Sequence, residues 1–283
     1  MIVRQLVKLS IRRVGHNDSR KVNIVLYHLL YPLHDYISGF NVFRYITFRA
    51  GAGAVCAFLI CILVAPRIIK LMQASGVVDE IRTDGPESHK AKAGTPTMGG
   101  LIILPAIIIS TLLFARLDMP HVWLVVIATA WMGVVGYIDD YLKKNKDKAG
   151  LVPRYKLLGQ VSLGLLIGFA LMIYPESFSS QFAENRTLST LPFFKDRFLD
   201  FAPWGITFLY VGMAVIVLTG TSNSVNLTDG LDGLAIGIVG IIATGLAILA
   251  YISGNIIISD YLHIFYLPGS GELAIYCTSI LGA

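Results

Sequence analysis

Charge is what this sequence has least of. Only 14% of its 283 residues are Asp, Glu, Lys or Arg, while 55% are hydrophobic, and the mean hydropathy is +0.67. Soluble domains carry about 25% charged residues, so the composition excludes an ordinary water-soluble fold and leaves a membrane protein. Cysteine is nearly absent as well. Cys56, Cys61 and Cys277 all lie inside apolar runs without metal-ligand spacing, which excludes a disulfide framework and leaves membrane packing as their role. No GxxxxGK[ST] loop occurs, and no spaced dinucleotide glycines precede a soluble strand, so the common nucleotide-binding motifs are missing. The first 22 residues are basic but lack the continuous apolar core and small-residue cleavage site of a signal peptide. The histidines His16, His28, His34, His89, His121 and His263 are scattered.

What remains is a set of charge-free stretches: Ala50 to Pro66, Ala93 to Ala115, Met119 to Ile138, Leu157 to Pro175, Phe201 to Thr228 and Gly233 to Ser259. A bilayer needs about 20 apolar residues per crossing helix. The runs are too uniformly apolar for the alternation of barrel strands, and backbone groups in hydrocarbon must pair within their own segment. The expectation is an all-α, polytopic transmembrane bundle of six full spans, with a seventh beginning near Leu273 and cut short at Ala283. The chain therefore reads as C-terminally truncated. Residues 1–35 form a basic leader, and 36–283 form one membrane domain.

Lys and Arg in short connections set orientation. The segment from Arg67 to Lys92 holds five and that from Asp139 to Lys156 holds six; the connection around Arg116 holds one, 176–200 three and 260–272 none. Alternation then places 67–97, 139–156 and 219–232 in the cytoplasm and the N-terminus outside. The eight Lys and Arg of residues 1–49 argue the other way; a basic leader lying on a membrane surface or an over-extended start site would each account for them, and that conflict stays open. The same orientation bias accounts for the pI of about 9.0 without nucleic-acid binding.

Three cytoplasmic segments hold nearly all the unusual polar residues. "SHKAKAGTPTMGG" mixes Gly94, Gly99 and Gly100 with Thr95 and Thr97, residues that let backbone amides approach a phosphate or that simply feed a helix start. "GYIDDYLKKNKDK" sets Asp139 and Asp140 at the end of an apolar run. If the helix continues, Lys143 shares their face at i+4 and i+3. Carboxylates at a helix C-terminus oppose the dipole, so a compensating cation is expected, and magnesium suits carboxylate ligands combined with phosphates. "NSVNLTDGLDGLA" spaces Asn223, Asn226, Asp229 and Asp232 three apart, with Gly230 and Gly233 interrupting the row. Such a row beside membrane spans points to a polar site.

In this order and between these spans, the three motifs resemble the signature of the phospho-N-acetylmuramoyl-pentapeptide transferases, within the superfamily of polyprenyl-phosphate sugar-1-phosphate transferases. The resemblance runs from about Tyr36 to the end and takes in "PFFKD" at 192–196. It implies a fold of about ten transmembrane helices with a cytoplasmic cleft, in the bacterial inner membrane. It also implies magnesium-dependent transfer of phospho-N-acetylmuramoyl-pentapeptide from UDP-MurNAc-pentapeptide to undecaprenyl phosphate, giving lipid I and UMP. That reaction is the first membrane step of peptidoglycan synthesis, on which cell-wall biogenesis, shape and division depend. By the same resemblance Asp139, Asp140, Lys92 and Lys156 are catalytic. Asp139 would activate or position the lipid phosphate and Asp140 would serve the metal together with Asp229. Thr97, Asn223, Asn226, Asp229, Gly230, Leu231 and Asp232 would bind substrate. Whether an aspartate acts as base or as nucleophile stays open.

The family's NxxPAxxFMGDxGS motif, with its principal magnesium aspartate, and its histidine-rich loop are not in these 283 residues. The expectation is that this chain alone is inactive and binds magnesium weakly. A sister N-acetylhexosamine-1-phosphate transferase is the nearest alternative, since DDxxK is common to the superfamily. A transporter is the more distant one, because transporters place polar breaks inside their spans. The resemblance allows a homodimer, but no residue pattern here argues for one.

Overall fold

The structure, a computed structural model, describes residues 26–75, 98–145, 150–190, 198–200, 207–231 and 233–283. Among the described residues its seven longest helices are α1 (Ile46–Ala74), α2 (Gly100–Phe114), α3 (Pro120–Asn145), α4 (Pro153–Ile173), α5 (Thr207–Thr228), α6 (Leu234–Ser253) and α7 (Leu273–Gly282). Five of them, α1, α3, α4, α5 and α6, are long and apolar enough to cross a membrane, and the chain is a multi-pass membrane protein. The remaining expected span is α2, apolar but only 15 residues long. At ~1.5 Å per residue it covers about 22 Å, short of the roughly 30 Å hydrocarbon core. Its expected beginning, residues 93–97, lies outside the described residues.

Sequence punctuation explains most boundaries. Pro120 and Pro153 open α3 and α4, where a missing N–H costs nothing because the first turn has no partner for it. The run expected from Gly233 to Ser259 breaks after Ser253. There the Asn255 side chain accepts from the amides of Ile257 (3.0 Å) and Ile258 (3.2 Å) and starts a separate short helix, Ile256–Leu262. A two-stranded antiparallel hairpin, Leu188–Thr190 with Phe198–Asp200, lies in the connection between α4 and α5. This small strand pair sits within an otherwise helical fold.

Packing divides the bundle. α7 is the centre of one part, lying against α1, α2 and α6, while α4 and α5 form a tight pair and α3 runs between the two parts. Ala274, Ile275, Cys277 and Ser279 of α7 are all buried. Along the α4–α5 seam, a Cβ on Gly164 would stand 2.7 Å from Val215 Cα and one on Gly168 would stand 3.0 Å from Val211 Cα. The backbones can approach this closely only because both positions are glycine, the usual device for joining helices where lipid supplies no hydrophobic drive.

At the start of α3 lies a buried polar clasp. Arg49, 1% exposed, donates from Nη1 and Nη2 to the two oxygens of Glu272, 4% exposed, both at 2.6 Å. Nη1 also donates to the Phe114 carbonyl (3.0 Å), and the Arg116 amide donates to Glu272 Oε2 (2.9 Å). The Arg49 guanidinium stacks over the Tyr27 ring, 4.6 Å from its centroid. Burial lifts the Tyr27 hydroxyl above its usual range, against the opposing pull of Arg116 and Arg49. The clasp ties α1, the α2–α3 turn and α7 together at one end of the bundle.

Candidate active site

The expected continuation of helix past Ile138 is present, since α3 runs to Asn145. Leu142, Lys143 and Lys144 are good helix formers, and Asp followed by Lys at i+4 favours the turn. The aspartates therefore stand well over a turn inside the helix rather than at its end, where the dipole penalty is small.

Asp139 is buried, 8% exposed, and both of its oxygens are engaged. Oδ2 accepts from Lys143 Nζ and Lys156 Nζ, each at 2.8 Å. Oδ1 accepts from the Leu151 amide at 2.8 Å. That amide belongs to the connection leading into α4, so Asp139 also sits beside the N-terminal end of α4, where negative charge is favoured. Gly150 makes the approach feasible: its φ is +74°, and a Cβ there would fall 2.6 Å from Asp139 Oδ1 and 2.8 Å from Lys143 Cγ. Asp140 differs. Among the described residues its cation partner is Lys143 Nζ at 3.5 Å, its side chain is 40% exposed, and it lines a cavity.

That cavity, about 480 Å³, lies between α2, α3, α4, α5 and α7. Leu101, Leu104, Val125, Met132, Leu163 and Leu218 give it an apolar wall, and among the described residues Asp140 is the one acidic residue lining it. Tyr276 lines it as well, and its hydroxyl hydrogen-bonds Thr129 Oγ1 at 2.7 Å. An apolar chamber with an acid and two ammonium groups beside it can accommodate an amphiphile with an anionic head.

The Asn223 row attaches to this centre through α4. Asn223 Nδ2 donates to Gln160 Oε1 at 3.0 Å, and Gln160 lies one helical turn after Lys156. Asn226, Asp229, Gly230 and Leu231 are exposed at the C-terminal end of α5 and just beyond it. Lys92, Thr97 and Asp232 lie outside the described residues. Among the described residues, no three His, Cys, Asp or Glu side chains gather as a metal-holding group. Asp140, loosely paired and open to the chamber, fits the sparse protein share of a magnesium site whose other ligands are phosphates and water.

Comparison with known proteins fits this layout. The Glycosyl transferase family 4 model matches residues 122–281, and the phospho-N-acetylmuramoyl-pentapeptide-transferase signature 1 matches residues 92–104. The phospho-N-acetylmuramoyl-pentapeptide-transferase of Desulfotalea psychrophila is 45% identical over 92% of this chain and 69% of its own length. Those of Thermodesulfovibrio yellowstonii and Chlorobium phaeobacteroides are 41% and 43% identical, again over 92% of this chain and over 69% and 68% of their lengths. The chain belongs to the phospho-N-acetylmuramoyl-pentapeptide-transferase family.

Within this transferase family's signature 1 lie Met98, Gly100, Leu101 and Leu104, all of which line the chamber. The sequence reading placed Lys143 on the aspartate face but gave it no part in the site; the structure joins it to both aspartates. Gly150, the Leu151 amide and Gln160 were missed altogether. The "AGLVPRYK" stretch held a usable signal in a glycine just ahead of a proline-opened helix, a frequent mark of positive φ.

Proposed function

We propose that this protein transfers phospho-N-acetylmuramoyl-pentapeptide from UDP-MurNAc-pentapeptide to undecaprenyl phosphate, releasing UMP and forming lipid I, at the cytoplasmic face of the bacterial inner membrane. The observation that carries this reading is the linked set Asp139, Asp140, Lys143 and Lys156 beside an apolar chamber. Family membership supplies the substrate class, and the lysine-rich connections at this end support its cytoplasmic placement.

In this reaction an acceptor phosphate oxygen bonds to the sugar-bearing phosphorus of the UDP-sugar as the bond from that phosphorus to the UMP oxygen breaks. Both partners are anionic, so positive charge must be held ready. Asp139 supplies this by fixing Lys143 and Lys156 on one oxygen; it acts by positioning, with its own lone pairs already directed at donors. Asp140 keeps its carboxylate toward the chamber. A bound magnesium ion would offset charge on the departing UMP, with Asp140 and Asp229 as the carboxylates proposed to hold it. Asn223, Asn226 and Asp229 present amide and carboxylate groups suited to a nucleotide.

The test is turnover in detergent with undecaprenyl phosphate by the chain continued through the family's NxxPAxxFMGDxGS motif, because these 283 residues alone are expected to be inactive, offered UDP-MurNAc-pentapeptide or UDP-N-acetylglucosamine in parallel. Lipid I and UMP from the first alone are expected. Product only from the second would replace this reading with a sister transferase. Absence of product from both would remove the transferase reading for this chain.

A further inference from the structure

Gln160 is a buried amide in an apolar helix, 6% exposed. A polar side chain in such a place is retained only if its hydrogen bonds are met. Its Nε2 donates to Ser222 Oγ at 3.0 Å and to Asn223 Oδ1 at 3.4 Å, and its Oε1 accepts from Asn223 Nδ2 at 3.0 Å. Asn223 Nδ2 also donates to the Thr219 carbonyl of its own helix at 2.9 Å. The result is a reciprocal amide pair across the α4–α5 seam.

Its location gives it meaning. Lys156, Gln160, Gly164 and Gly168 recur every fourth residue along one face of α4. Lys156 bonds Asp139 of α3, Gln160 bonds Asn223 of α5, and the two glycines abut Val215 and Val211. Glycine contacts set how closely two helices approach but leave rotation and axial slip soft, because dispersion contacts have little direction. A two-way amide pair is directional and fixes both. Asn226 and Asp229 follow Asn223 by three and six residues, beyond the hydrogen bonds that tie α5 to α4 among the described residues.

We propose that Gln160 is a positioning residue that locks the end of α5, and with it the Asn226 and Asp229 groups, in register with the Lys156–Asp139 pair. The consequence for nucleotide handling rests on the function proposed above; the lock itself does not.

The experiment has two arms on the purified protein in detergent, comparing Gln160→Leu with wild type. Amide hydrogen exchange is read first: exchange across residues 223–231 should rise about tenfold, with 211–218 unchanged. Kinetics follow: the KM for UDP-MurNAc-pentapeptide should rise about tenfold, with the KM for undecaprenyl phosphate unchanged. Unchanged exchange overturns the lock. Raised exchange with both KM values unmoved, or with kcat and both KM values degraded alike, reduces Gln160 to a packing residue and overturns the positioning role. If Gln160→Leu does not yield folded protein, Gln160→Glu, which keeps the oxygen facing Asn223 Nδ2 and loses the donor, is read by the same two arms. The kinetic arm is read on the chain continued through the NxxPAxxFMGDxGS motif; wild-type protein without turnover there removes the proposed function instead, and the exchange arm alone then decides the lock.

Discussion

The two ends of α3 hold ionic groups of opposite character. Near its start, Arg49 and Glu272 are almost fully buried and bonded through two 2.6 Å contacts, with a carbonyl and an amide taking further valences. About 30 Å away, at ~1.5 Å per residue, Asp139 pairs with Lys143 and Lys156, which are 46% and 31% exposed, and Asp140 reaches only Lys143 among the described residues, at 3.5 Å. The first arrangement leaves its carboxylate no opening for a newcomer. The second keeps one carboxylate open to a chamber and both ammonium groups within reach of solvent. Structure is held at the saturated end and chemistry is available at the unsaturated one.

The largest expected effect comes from breaking the saturated end. Arg49→Met or Glu272→Leu alone leaves a buried, unpaired charge, which costs about 3–5 kcal/mol. Thermal unfolding of the purified protein in detergent should show a large fall in midpoint for each single variant. The double variant Arg49→Met/Glu272→Leu should recover much of it, because no charge is left stranded. Equal losses in the single and double variants would mean that the ion pair itself, rather than its completeness, stabilises the clasp.

The converse holds at the other end. Asp140→Asn should lower turnover by about a thousandfold, equivalent to about 4 kcal/mol of transition-state stabilisation, while moving the unfolding midpoint by no more than a degree or two. Chelation of divalent ions with EDTA should mimic it, and added magnesium should restore wild type but not the variant. A stable, active Asp140→Asn protein would remove this carboxylate from the chemistry.

Much of this contrast was legible in the sequence, though unevenly. Hydropathy alone located the helices, since runs without charge have few alternatives in lipid, and the i, i+3 and i+4 spacing of Asp139, Asp140 and Lys143 anticipated their shared face. Motif order anticipated the family. The clasp was not legible: Arg49 and Glu272 lie 223 residues apart, and each alone looks like a charge flanking a span. Gln160 was equally silent, because one amide in an apolar helix does not announce its partner. The break at Asn255 was absorbed into a longer hydrophobic run, because hydropathy averages over a cap that depends on one side-chain oxygen. Lys92, Thr97 and Asp232, assigned by resemblance, lie outside the described residues.

A smaller effect is expected at Gly150, where α3 and α4 meet. Alanine there would carry the strain of a left-handed backbone, about 1–2 kcal/mol, and its Cβ would press on Asp139 Oδ1 and Lys143. The lysines would be displaced without being lost. Turnover should fall about tenfold with both substrates still bound, read as a lower kcat at nearly unchanged KM values. A Gly150→Ala enzyme with wild-type kcat would show that the turn tolerates a side chain and that the fixed geometry at Asp139 is not needed.

The smallest and most diagnostic effect is that of salt. The Debye length is about 10 Å at 0.1 M and about 3 Å at 1 M, so half-exposed charges are screened while buried ones are not. Raising ionic strength from 0.05 to 0.5 M should increase the KM for the anionic nucleotide substrate a few-fold, because Lys143 and Lys156 lose long-range pull. The midpoint of unfolding, governed in part by the buried Arg49 and Glu272, should hardly move. The two responses separate because the same charges are immersed in different dielectrics, so a salt titration read by kinetics and by unfolding on one sample measures the contrast directly. Parallel changes in both would mean that the two ends share a solvent environment, and that burial is not what distinguishes the clasp from the site.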